Sequence, residues 1–177
     1  VQGGHDREAK EVIAGYKFNV GDIVVTKIGA QLDMRISDKY AIRVKENTEF
    51  KITKLTPRYG KGRAFFELVD GKMLVSVDEG FKGSKFEIKT PTCVTGVRGT
   101  KFSIDVSEKD KPKTKIDVLE GKVEVKGRYK EERFLLAKLV VFVGPGQKTE
   151  VFKDEPPELP QRLVEKEWKE LEELYQI

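Results

Sequence analysis

Polar and apolar residues alternate along most of this chain. In Ala30-Gln-Leu-Asp-Met-Arg-Ile36, apolar Ala30, Leu32, Met34 and Ile36 are separated by Gln31, Asp33 and Arg35. A period of two is that of a strand with one face buried. The same pattern recurs in Thr48-Glu-Phe-Lys-Ile52, Met73-Leu-Val-Ser-Val77, Phe86-Glu-Ile88, Thr100-Lys-Phe-Ser-Ile-Asp-Val106, Ile116-Asp-Val118 and Val123-Glu-Val125. Turn signals stand between these segments: Val20-Gly21-Asp22, Tyr59-Gly-Lys-Gly62, Asp70-Gly71, Lys82-Gly83, Glu120-Gly121 and Gly144-Pro-Gly146. Read as strand ends, they predict an all-β body of many short strands, a β-sandwich, barrel or short β-solenoid, and not alternating βαβ units.

Two echoes suggest internal repetition. Thr48-Glu-Phe-Lys-Ile52 matches Thr100-Lys-Phe-Ser-Ile104 at an offset of 52, and Asp70-Gly-Lys72 matches Glu120-Gly-Lys122 at an offset of 50. Both offsets are even, so each shift keeps core side chains on the core face.

The C-terminus changes period. Pro156-Pro157 breaks the strand pattern, and Pro160 suits the first turn of a helix. Val164, Trp168, Leu171 and Tyr175 then follow at spacings of four, three and four, one apolar stripe on a helix of about four turns. The expected layout is a flexible N-terminal segment (1–11), a β domain (12–153) and a proline-led amphipathic helix (154–177). The stripe is expected to dock on the β domain; the alternative is a partner surface made of the same four residues.

At 177 residues, 36% charged and 38% hydrophobic, the chain is long enough to bury a core without disulfide or metal staples. Its longest mainly apolar run, Phe134 to Val143, is interrupted by Lys138 and is about half a membrane span. No signal peptide is evident, although Val1 in place of an initiator methionine is compatible with a removed leader. High charge of both signs, with Asn19 and Asn47 the only asparagines, leans towards a thermophile. The formal charge of +4 hides an asymmetry: residues 154–177 carry eight acids against three bases, a net −5, which leaves +9 for residues 1–153. Glu108-Lys-Asp-Lys-Pro-Lys113 reads as an exposed loop.

Candidate chemistry is sparse. One cysteine excludes an intrachain disulfide and a multi-cysteine metal site, and the single histidine, His5, lies in the N-terminal segment. Zinc sites and Ser-His-Asp triads both need a positioned imidazole. No phosphate-binding or dinucleotide glycine loop occurs, and Gly144-Pro-Gly146 reads as a turn. Cys93 has no histidine nearby and sits with Val94 and Val97, which suits a packed strand. In Arg98-Gly99-Thr100, Gly99 is expected to serve a strand bend, with Arg98 pinning a carboxylate or carbonyl there; anion or partner contact is the alternative. Basic residues are scattered along the sequence, and Phe65, Phe66, Phe81, Phe86 and Phe102 fall mostly at expected core positions, which argues against nucleic acid. These readings leave no catalytic residues, no cofactor and no metal, and so no enzyme.

The stretch "FEIKTPTCVTGVRGTKFSIDV", followed by "KTKIDVLEGKVEV", resembles the FecR domain, named after the ferric-citrate regulator of bacterial cell-surface signalling. The matching positions are Thr90, Pro91, Cys93 in a small-residue slot, Val97, Arg98, Gly99, Thr100, Phe102, Glu120, Gly121, Val123 and Val125. "VGDIVVTKIGAQLDMRISDKYAIRVKENTEFKI" is similar to the family's lead-in and "VGPGQKTEV" to its closing strand, so the likeness covers roughly residues 18–152. It implies a non-catalytic, strand-rich, extracytoplasmic module whose motif residues are structural. Signalling members relay a receptor's state through a membrane helix to a cytoplasmic sigma-factor partner, but this chain shows neither membrane helix nor anti-sigma segment. The expected role is therefore binding or scaffolding on an envelope protein or cell-wall glycan, through strand edges, the 108–113 loop or the acidic helix. The alternative is the sensor part of a system that controls an extracytoplasmic-function sigma factor.

Overall fold

The computed structural model describes residues 11–36, 40–56, 62–78, 85–107, 111–129 and 139–175. They form β1 (Ile23–Thr26), β2 (Leu32–Ile36), β3 (Tyr40–Val44), β4 (Thr48–Thr56), β5 (Arg63–Val77), β6 (Lys85–Lys89), β7 (Cys93–Ser107), β8 (Lys113–Gly127), β9 (Val140–Val143), β10 (Gln147–Phe152), β11 (Gln161–Arg162) and one helix, α1 (Glu165–Tyr175). The fold is all-β with one short C-terminal helix.

Strands β5, β7 and β8 are 15 residues long, and each passes through a glycine of positive φ: Gly71 at 91°, Gly99 at 59° and Gly121 at 80°. Asp70-Gly71 and Glu120-Gly121, read from sequence as turns, are bends inside continuous strands. Glycine takes the left-handed conformation without a Cβ penalty, so the chain changes direction while its ladder continues on both sides.

The bends divide one hydrogen-bonded network into two layers. The first runs β1, β4, the start of β5, β6, the start of β7, the end of β8 and β9. The second runs β2, β3, the end of β5, the end of β7, the start of β8, β10 and β11. All pairings are antiparallel except β5 with β6. A single apolar cluster fills the space between the layers. Phe50, Ile52, Phe66, Leu68, Phe86 and Ile88 come from the first layer; Ile42, Met73, Val75, Phe102, Ile104 and Ile116 come from the second. The rings of Tyr40 and Phe86, from opposite layers, lie 5.5 Å apart. Alternation along each strand places these residues inside, and roughly 2 kcal/mol of burial per large side chain drives the layers together.

The two sequence echoes occupy equivalent places. Glu49 pairs with Asp70, Phe50 with Leu68 and Ile52 with Phe66; at the same offsets, Lys101 pairs with Glu120, Phe102 with Val118 and Ile104 with Ile116. In each copy a left-handed residue, Asn47 or Gly99, precedes a buried threonine that bonds the backbone beside the facing glycine.

The helix starts later than its proline suggests. Gln161–Arg162 first add β11 to β10. Val164 then caps α1, and its N–H donates to Glu167 Oε2 at 3.1 Å, the reach-back half of a capping box. Ala30 is exposed ahead of β2. His5, Tyr59 to Lys61, Phe81, Lys82-Gly83, residues 108–110 of the predicted loop and residues 134–138 of the apolar run lie outside the described residues.

Candidate functional site

The motif begins in a buried knot of hydroxyls. Thr90, Thr92 and Thr114 are shielded from solvent; Thr90 Oγ1 lies 2.8 Å and Thr92 Oγ1 2.7 Å from Thr114 Oγ1. The N–H of Cys93 donates to Thr90 Oγ1 at 3.0 Å, and Cys93 Sγ sits 3.4 Å from the same oxygen. Pro91 forms the bend between β6 and β7. Arg128 closes the knot: its Nη1 donates to the Thr90 carbonyl at 2.6 Å and its N–H to the Thr92 carbonyl at 2.8 Å. Burial pushes the Cys93 thiol up, against smaller opposing effects of the threonine hydroxyls and Arg128. With 0% exposure and a raised pKa, this thiol is held protonated and out of contact with solvent, the setting of a structural cysteine. Nothing local marks Arg128, 38 residues from Thr90.

The second half of the motif builds the bend. Thr100 Oγ1 bonds the Lys122 carbonyl at 3.1 Å, and Gly99 and Gly121 face each other across β7 and β8. Val97 packs on the core, while Phe102, Val123 and Val125 lie within it. Glu120 stands at the surface, paired with Lys101 at 3.0 Å. Arg98 is exposed, and its guanidinium makes no hydrogen bond or ion pair among the described residues.

Helix α1 lies on the outer face of the second layer. Leu171 is buried. The Tyr175 hydroxyl accepts the Val75 N–H at 3.0 Å and meets the carbonyls of Val75 and Phe102, so it enters the seam between β5 and β7. The Trp168 ring covers Gly146. At the other end of the helix, Lys148 Nζ lies 2.6 Å and Lys115 Nζ 3.4 Å from Glu167 Oε1, and Lys115 also reaches Asp117 at 3.3 Å. The Lys148 hydrogen bond leads the effects that hold the Glu167 carboxyl down at about 2. Burial raises the Asp117 carboxyl, whose Oδ1 has no hydrogen-bond partner among the described residues. Of the stripe, Val164 alone stays strongly exposed, at 61%.

Among the described residues, a groove and a strand edge are open to solvent. A groove of about 620 Å³ lies between the segment containing Val12, Tyr16 and Phe18, strands β2 and β3, and the end of α1 at Leu174 and Tyr175. Among the described residues strand β1 pairs only with β4, which leaves its other edge open; Ile23 and Val25 are exposed on its outer face, with Ile28 in the turn beyond. Among the described residues no group of acidic, histidine or cysteine side chains could hold a metal ion, and no helix is long and apolar enough to cross a membrane.

The family described as FecR protein matches residues 22–124, more than half of the chain. Two crystal structures of a candidate anti-sigma factor from Parabacteroides distasonis, at 1.65 and 2.50 Å resolution, share the fold, each with a TM-score of 0.62 at 16% identity. Each alignment covers 80% of this chain and 59% of the other, so this chain spans little more than half the length of those proteins. No curated protein matches the sequence.

Proposed function

The chain belongs to the FecR family, and from that premise we propose that it is a non-catalytic, extracytoplasmic module of a signalling system that binds an envelope protein by strand addition at β1. The observation that carries this reading is the edge itself. Ile23, Val25 and Ile28 are 62%, 61% and 84% exposed, on a strand whose outer backbone groups pair with nothing among the described residues. A free apolar edge is an aggregation hazard unless a partner covers it, and an added strand would satisfy backbone and side chains together.

The family match and the fold shared with a candidate anti-sigma factor favour the sensor role over a glycan scaffold. The test is affinity capture from envelope extracts, comparing the full chain with Ile23→Lys/Val25→Lys and with Val164→Lys. A partner retained by wild type and Val164→Lys and lost by the edge variant is expected. Equal recovery by all three would remove β1 from the reading.

A further inference from the structure

The outer face of the first layer carries a line of like charges. Arg63 pairs with Lys85, and Arg98 pairs with Lys122. The pairing of Phe86 with Val97 brings Lys85 beside Arg98. Their inward neighbours Ala64, Phe86, Val97 and Val123 face the core, so all four cations point outward, and all four are exposed. With strands about 4.8 Å apart, the row spans about 14 Å. No acid among the described residues holds a register position in the row; beside it, Asp78, just past the end of β5, lines a small pocket with Arg98 without pairing to it. Among the described residues none of the four side chains makes an ion pair or hydrogen bond; Lys122 Nζ rests 5.7 Å from the Phe142 ring.

The second layer handles charge differently. There Lys72 pairs with Asp105, Asp105 with Lys115 and Lys115 with Glu150, an alternating row. Like charges side by side destabilise a sheet, opposite charges support it. The four exposed cations repel one another, and an anion from outside would relieve that repulsion.

We propose that Arg63, Lys85, Arg98 and Lys122 form a docking site for an extended acidic segment of a partner protein, with carboxylates at alternate positions. Same-face side chains of an extended peptide repeat about every 6.8 Å, so three carboxylates span about 14 Å, the length of the row. The two arginines offer forks suited to carboxylates. A bilayer fits less well, because a flat anionic surface would also press on Glu67, Glu87 and Glu124, which share this face; Glu87 and Glu124 flank Gly96 one row away. The site goes beyond the β1 reading and does not depend on it. It begins beside Thr56, at the far end of β4 from the residues that pair with β1.

The test uses the full chain and a labelled peptide with glutamate at alternate positions, read by fluorescence anisotropy. Controls are a peptide of the same composition with its glutamates in one block, phosphatidylglycerol vesicles and inorganic polyphosphate. Binding of the alternating peptide is expected, weakening as salt rises, with roughly tenfold loss for each of Lys85→Glu and Arg98→Glu. Both variants should melt no lower than wild type, since each relieves repulsion. Lys122→Gln, a milder change, should weaken binding less. No binding by folded wild type would overturn the proposal. So would equal binding of the block peptide, or binding of vesicles or polyphosphate without the peptide.

Discussion

Gly121 and Gly99 touch backbone to backbone: a β-carbon on Gly121 would lie 2.0 Å from the Gly99 carbonyl oxygen. Gly121 also has a φ of 80°, so alanine there meets both a clash and a strained backbone. Gly121→Ala should cost at least about 3 kcal/mol, measured by denaturant unfolding. Gly96 is the control, because a β-carbon there would meet nothing within 4 Å. Gly96→Ala should be neutral or stabilise by up to about 1 kcal/mol.

The Tyr175 hydroxyl pins the end of α1 into the β5–β7 seam. Tyr175→Phe strands the bonds it makes there and should cost roughly 1–2 kcal/mol. Hydrogen exchange along α1 should quicken. Val164→Ala, at an exposed site, should change stability by less than about 0.5 kcal/mol.

Acid should undock the helix within a definable window. Glu167 titrates from an ordinary 4.5 down to about 2 in the fold, so its contribution is full above pH 4.5 and declines as pH falls towards 2. Asp105 and Asp117 have the opposite sign: burial raises both, so protonating them on mild acidification favours the fold. Fluorescence of Trp168, the only tryptophan, should hold through mild acid and shift between pH 4.5 and 2. Glu167→Gln should remove that step; an unchanged transition would show that Glu167 does not hold α1.

Cys93 should label with a thiol reagent only as fast as the fold opens. Burial and a raised pKa both suppress the native thiolate. Rapid labelling under native conditions would mean that the hydroxyl knot around Thr90 and Thr114 opens locally.

Much of the fold is legible in the sequence because strand alternation is a local signal. Alternation alone turns Met73, Val75, Phe102 and Ile104 inward, and they are buried. Glycine misleads where its role depends on partners far along the chain. Asp70-Gly71 resembles a hairpin turn until β4 is seen packed against it, and Glu120-Gly121 does so until β7 is. Pro160 misleads for a similar reason, since β10 captures Gln161 and Arg162 before a helix can begin. The cation row is invisible in sequence. Its members sit at 63, 85, 98 and 122, and only strand register makes them neighbours.

Because β5, β7 and β8 run through both layers, neither layer can slide over or part from the other without straining covalent backbone. A pull at β1 reaches α1 through the β1–β4 and β4–β5 ladders, then along β5 to the seam where Tyr175 is hydrogen-bonded. The three shared strands thus tie both layers into one mechanical unit, so a force on either is borne by the covalent chain as well as by the core.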